Sequence, residues 1–263
     1  MIKQWSMCTT EEIGAMDKEH SLVIIPIGAT EQHGAHLPVG TDSIILESLL
    51  DVFMREVDFP DHQVLITPLL PIGKSMEHMD FPGTLSFSTH TFYSMLDDLC
   101  KSVRSHGFTK VLFMNSHGGN TDLLNVLSRD MRIAHEIELF VFDWWFTSFW
   151  NDILEQVQQS GDYGVFHACE LETSLMLVFC PERVDMSKAV DEFPDPQFTA
   201  NPHVTLKGPV TPGWKTKDVS IHGVIGAPTL ATVEKGRIFV DYAVEKLHEM
   251  LTQVIQTNYK TNS

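Results

Sequence analysis

The stretch IIPIGATEQHGAHLPVGTD, residues 24–42, decides how the rest of the chain is read. It opens inside an apolar run, Leu22 to Ile27, with the length and content of a buried strand, and Gly28 stops that strand. Glu31, His33, His36 and Asp42 follow within twelve positions. If residues 30–34 stay extended, Glu31 and His33 point to the same side, because strand side chains alternate with period two. An oxygen donor and a nitrogen donor then share one concave spot at the carboxyl end of a strand, where open α/β sheets bind ligands. Solvated side chains on a polar loop are the plainer alternative. Four potential ligands beside a buried strand favour a metal site.

Composition limits the classes open to the chain. Its 263 residues allow one large domain or two small ones, and 43% apolar with 20% charged residues is ordinary for a globular protein. A formal net charge of −17 argues against nucleic acid or an anionic membrane as partner. No apolar run approaches the ~20 residues that span a bilayer, and the first twenty residues lack the apolar core of a signal peptide. Cys8, Cys100, Cys169 and Cys180 are widely spaced without a CxxC pair, so neither a disulfide framework nor a zinc knuckle is indicated. A cytoplasmic protein is expected.

Working outward, residues 10–16 predict a short helix at the domain edge. The spacing of Ile45, Leu49, Val52 and Phe53 predicts a helix over about 43–57. Val64 to Leu69 reads as a second strand, followed by a loop carrying Glu77, His78 and Asp80. Ser88 or Thr89 can cap a helix whose face is Phe92, Met95, Leu96, Leu99 and Val103. Val111 to Met114 is a third strand running into NSHGGN, a helix starts at Asn120 or Thr121, and Ile137 to Phe142 is a fourth strand. A polar helix over 151–159, a buried helix over 170–179, a long loop or lid over 187–220 and an amphipathic helix over 234–255 complete the chain. Alternating strands and helices imply a single-domain three-layer α/β/α sandwich over residues 1–263, with a mostly parallel sheet and its functional loops at one end.

His117 follows the third strand, and Gly118 and Gly119 let backbone approach a ligand closely and present amide donors there. Glu170 heads an apolar helix, where an unpaired carboxylate would cost several kcal/mol to bury. It is therefore expected to be paired or to bind metal, and is taken as a ligand, whereas Glu172, two residues on, must face elsewhere and is read as structural, paired with a Lys or Arg. Glu31, His33, Asp42, His117 and Glu170 suit two divalent ions, zinc, manganese or iron, bridged by one carboxylate. Such sites polarise carbonyls and generate hydroxide near neutral pH. Phosphoester hydrolysis uses similar ligands and stays open on these residues alone.

The runs GATEQHGAHLPVGTD, GKSMEHMDFPGTLS, NSHGGN and HACELETS, in that order across about residues 21–245, resemble the creatininase (creatinine amidohydrolase) family. The resemblance implies an α/β/α sandwich, a homohexamer, and a binuclear metal hydrolase acting on an amide-type C–N bond of a small molecule through a metal-bridged hydroxide. By the same resemblance Glu31, Asp42 and His117 hold one ion, and His33, Asp42 and Glu170 the other, with Asp42 bridging. His167 matches the catalytic histidine, and a histidine titrating near neutrality can protonate a departing nitrogen. Creatininase itself has an acidic ligand two residues after the third-motif histidine. Gly119 stands there in this chain, which weakens creatinine as the substrate. A sugar- or inositol-derived ketone or lactone, a short peptide, or metal binding without catalysis are the alternatives. Tyr163, Trp144, Trp145, Glu77, His78, Gly118 and Gly119 are expected to line the substrate pocket. Phe146, Phe149 and Trp150 are expected at an exposed oligomer contact.

Overall fold

The computed structural model describes residues 1–144 and 147–258. Strand β2 (Ser21–Ile27) is central because every one of its residues is buried. Its side chains divide by period two. Leu22 and Ile24 enter one core with α2 (Thr41–Glu56), α6 (Glu170–Phe179) and α8 (Val233–Gln256). Val23, Ile25 and Ile27 enter a second core with α3 (Thr89–Ser105) and α4 (Thr121–His135). A sheet apolar on both faces needs helices on both, which gives the three layers.

The sheet runs β1–β3–β2–β4–β5 and every pairing in it is parallel. β3 spans Gln63–Ile66, β4 spans Lys110–Asn115 and β5 spans Glu138–Asp143. Edge strand β1 (Ile2–Gln4) was not expected: three residues carry no readable period, and only pairing with β3 makes them a strand. Helix α1 (Thr10–Ala15) follows it, closed by a capping box between Thr9 and Glu12. Because the strands are parallel, the loops after β2, β4 and β5 gather at one end.

Beyond the sheet, α5 (Thr147–Val157) is followed by β6 (Val165–His167). β6 pairs antiparallel with β7 (Ile225–Gly226), which anchors the long segment 187–226 to the body; that segment also holds the short helix α7 (Thr216–Val219). None of the described helices is long and apolar enough to cross a membrane.

The aromatic residues after β5 depart from expectation. Phe149 and Trp150 are 4% and 2% exposed, and Trp144 is 1% exposed. Trp150 stacks edge-on against Trp144 at 4.6 Å, its indole N–H donates to the Trp144 carbonyl, and Phe149 and Trp150 pack on Tyr242 of α8. Trp144 is thus core instead of pocket wall, and Phe149 and Trp150 are core instead of an oligomer surface. The reason is that α5 begins four residues earlier than its polar half suggests, so its apolar first turns fill the space beside α8. Trp145 and Phe146 lie outside the described residues. Trp150→Ala should therefore cost about 3–5 kcal/mol of stability, measured by denaturant unfolding, with the oligomeric state of the folded protein unchanged in sedimentation.

Candidate metal centre

Three connections meet over the carboxyl ends of β2 and β4. Glu31 and His33 follow β2, Asp42 lies in the first turn of α2, His117 follows β4, and Glu172 lies in the first turn of α6. All five are buried, none more than 4% exposed. Their donor atoms form overlapping sets of metal-binding reach: Glu31, Asp42 and His117; His33, Asp42 and Glu172; and Glu31, His33 and His167. Asp42 belongs to the first two. Its Oδ2 lies 3.4 Å from His117 Nδ1 and its Oδ1 lies 3.4 Å from His33 Nε2, so one oxygen faces each histidine.

Glu170 is not in this group. Its carboxylate pairs with Lys235 of α8 and accepts from the main-chain N–H groups of Gln159 and Ser160. Glu172 stands instead where Glu170 was expected, with Oε1 at 3.3 Å from His33 Nε2 and Oε2 accepting from Cys169 N–H. Residues two apart on a helix point in opposed directions, so only one of the two can face the centre. Sequence gave no phase for the helix. The neighbouring Thr173 bonds His36 Nε2 through its hydroxyl at 3.0 Å, where α6 meets the β2 loop. His36 is thereby occupied as a strut, and burial, then His33, hold its pKa down at about 4.

The NSHGGN turn positions His117. Asn115 Nδ2 donates to the His117 carbonyl and Asn115 Oδ1 accepts from His117 N–H, while Asn120 reaches Gly28 O and accepts from Lys74 N–H. Three loops are thus tied by one asparagine. His117 Nε2 faces Lys74 O at 3.1 Å, which fixes a hydrogen on that nitrogen and turns Nδ1 toward the carboxylates. A Cβ at position 119 would overlap Glu77 Oε1 and lie 2.6 Å from Lys74 O, so no acidic side chain fits there. Burial raises the Glu77 carboxyl above its usual range, with His117 opposing.

The donor set fits divalent cations. Glu31 Oε2 and Asp42 Oδ2 are buried without a hydrogen-bond partner, although both lie near His117 Nδ1, at 3.1 and 3.4 Å. One ring nitrogen cannot serve two oxygens, and unpaired buried carboxylates are costly. Without a cation, burial works against the charge on His33, but Asp42 and then Glu172 outweigh it and raise its pKa well above the usual value. Burial is likewise outweighed at His117, by Glu31 and then Asp42. At Asp42 itself burial opposes the charge, and His33 followed by His117 holds the carboxyl below its usual range.

The remaining expected residues distribute as follows. His78 Nε2 and His167 Nδ1 lie 3.4 and 3.6 Å from Glu31 Oε1, so both face the centre. Tyr163 belongs to a satellite cluster with Phe166, Phe198 and Trp214 under segment 187–226. That segment reaches the centre through Thr216, whose hydroxyl is 3.0 Å from His78 Nδ1. A cavity of about 440 Å³ at the other end of the sheet, lined by Met1, Asp17, His20 and His62, gathers no comparable donor set among the described residues.

The sequence profile of the creatininase family, described as creatinine amidohydrolase, matches residues 6–251. The chain belongs to the creatininase family. It is 29% identical over 222 residues to the mycofactocin precursor peptide peptidase of Mycolicibacterium smegmatis, covering 84% of this chain and 80% of that one. It is 25% identical over 247 residues to the creatinine amidohydrolase of Pseudomonas putida, covering 88% and 89%. A solved structure named "Creatininase Mn" superposes with a TM-score of 0.74 at 21% identity, over 97% of this chain and 99% of that one. The fold of this creatininase-family chain is therefore that of creatininase.

The geometry makes a sharp comparison between mutants. Asp42→Ala should abolish uptake of both divalent ions, and Glu172→Ala should remove one, both read by elemental analysis. Glu170→Ala should keep its metal while losing roughly 1–3 kcal/mol of stability, because the main-chain N–H groups of Gln159 and Ser160 and the half-buried Lys235 lose a charged acceptor. Metal loss on Glu170→Ala with full retention on Glu172→Ala would reverse the assignment. Binding must also displace protons from His33 and His117, so apparent metal affinity should rise with pH through and above the ordinary imidazole range, measured by chelator competition.

Proposed function

We propose that this chain is a metal-dependent amidohydrolase that cleaves the C–N bond of a small amide. The observation that carries this reading is the Asp42 carboxylate shared between two buried donor sets, one with Glu31 and His117 and one with His33 and Glu172. Two divalent ions there, zinc, manganese or iron, would supply Lewis-acid polarisation of a carbonyl and lower the pKa of a water toward neutrality. The manganese form of creatininase among the superposable structures agrees with that chemistry.

The chain's own residues then handle the proton. Burial, then His33, hold the His167 pKa at about 4, so the ring is neutral near pH 7. Its Nδ1 faces the centre and takes the proton given up as water adds to the carbonyl carbon. The same nitrogen returns that proton to the departing nitrogen as the C–N bond breaks, so water and amide become acid and amine with no net proton change. His167 thus acts as acceptor first and donor second, a refinement of the donor role expected from sequence. Glu77 stands beside His117 and occupies the space at Gly119, and His78 stands beside Glu31, so these two side chains are the ones the substrate would meet.

Likeness to a precursor peptide peptidase favours including short peptides beside cyclic amides, lactams and formamides in the substrate screen. A homohexamer remains part of the proposal, with its contacts outside the buried aromatic residues of α5. Metal-loaded protein should hydrolyse at least one amide class in that screen, and turnover confined to phosphoesters or lactones would refute the amide reading. His167→Ala should lower turnover by ~10²–10⁴-fold with both ions still bound. A wild-type rate in that variant would place the proton-transfer group elsewhere.

A further inference from the structure

Gln32 sits between Glu31 and His33 and is 4% exposed. Strict alternation would turn it away from both, yet its side chain lies among the histidines. Gly34 N–H donates to Gln32 Oε1 at 3.0 Å, which settles the oxygen end of the carboxamide. Gly223, at φ +74°, leaves the space that this oxygen fills: a Cβ there would overlap it. Thr84 Oγ1 accepts from Gln32 N–H at 3.1 Å and holds the main chain. The amide nitrogen therefore faces two rings, His78 Nδ1 at 2.9 Å and His167 Nε2 at 3.0 Å. The main-chain oxygen of the same residue lies 2.9 Å from that same His167 Nε2.

An amide NH₂ only donates and a carbonyl only accepts. His78 Nδ1 must accept, so the hydrogen of neutral His78 sits on Nε2, 3.4 Å from Glu31 Oε1. His167 Nε2 has a partner in either tautomer. Bearing hydrogen it donates to the Gln32 carbonyl; bare, it accepts from the Gln32 amide. We propose that Gln32 is the positioning residue of this centre: it fixes the hydrogen of His78 on Nε2 and partners His167 Nε2 in both tautomers, which aims the other nitrogen of each ring at Glu31. This rests on the reading of His167 as the proton-transfer group.

The test uses the full chain labelled with ¹⁵N-histidine and loaded with zinc, whose ring-nitrogen shifts report tautomers. The wild type should show His78 protonated on Nε2 and His167 as an average of both tautomers. Gln32→Glu keeps the shape and the acceptor for Gly34 N–H but cannot donate. In it the His78 proton should move to Nδ1 and His167 should hold the Nε2–H form, with zinc retained; the bare His78 Nε2 then faces Glu31 Oε1, and kcat should fall ~10–100-fold at little-changed KM. Unchanged tautomers in both rings overturn the proposal, whether or not activity falls. If Gln32→Glu does not fold, Gln32→Met should also hold His167 in the Nε2–H form, because the main-chain carbonyl remains. Tautomers that shift as stated while His167→Ala works at the wild-type rate would support proton placement by Gln32 and overturn the proton-transfer reading alone.

Discussion

Three carboxylates, Glu31, Asp42 and Glu172, lie 1%, 3% and 1% exposed around two imidazoles. Their mutual repulsion is the constraint on which the functional end of the molecule depends. Glu31 with Asp42, and Asp42 with Glu172, bring oxygens within 4.8 Å, which costs on the order of 3–4 kcal/mol per pair at an effective dielectric near 20. Protonated His33 and His117 offset part of that in the bare protein. Divalent cations would offset more of it in less space, and would remove the two unsatisfied oxygens. In a chain of net charge −17, positive charge is scarce enough that its placement has to be local.

The rest of the fold serves to bring those groups together without letting water in. β2 and β4 are adjacent and parallel, so the loops carrying Glu31 and His117 emerge side by side. α2 begins beside them, with Ser43 Oγ on Ala29 O and Ser116 Oγ on Asp42 O stitching its first turn to both strand ends. Segment 187–226 lies over His78 and Gln32, and the Asp80–Lys215 ion pair at 2.8 Å ties it to the neighbouring loop. That pair is exposed and contributes little energy. Buried contacts such as Thr216 on His78 set the position.

Much of this was legible in the sequence where a period was present. The central strand, the two-faced sheet and the helices α2, α3, α4 and α8 follow from apolar spacing, and Glu31, His33, Asp42 and His117 follow from polar residues placed just past apolar runs. What escaped had no period or had the wrong one. The edge strand β1 exists only through β3. Residues 31–33 are not regular strand, so alternation paired Glu31 with His33 yet hid Gln32, which also faces the centre. In α6 the first seven of ten positions are all buried, so apolar content could not give the helix phase that separates Glu172 from Glu170.

That phase is set by one short turn. Ala168, between β6 and α6, takes a left-handed conformation at φ +51°, a conformation uncommon for a residue with a side chain. Such a conformation costs of order 1–3 kcal/mol and persists only when its surroundings over-determine it. Here they do. On one side His167 is held by Gln32, and on the other Glu172 accepts from Cys169 N–H while facing His33. The ring that faces Glu31 and the carboxylate that faces His33 are thus five residues apart across a single constrained bend. Supplying the acidic group from α6, where position 119 has no room for one, therefore couples the placement of that group to the placement of His167. In a protein built this way the two cannot be adjusted independently.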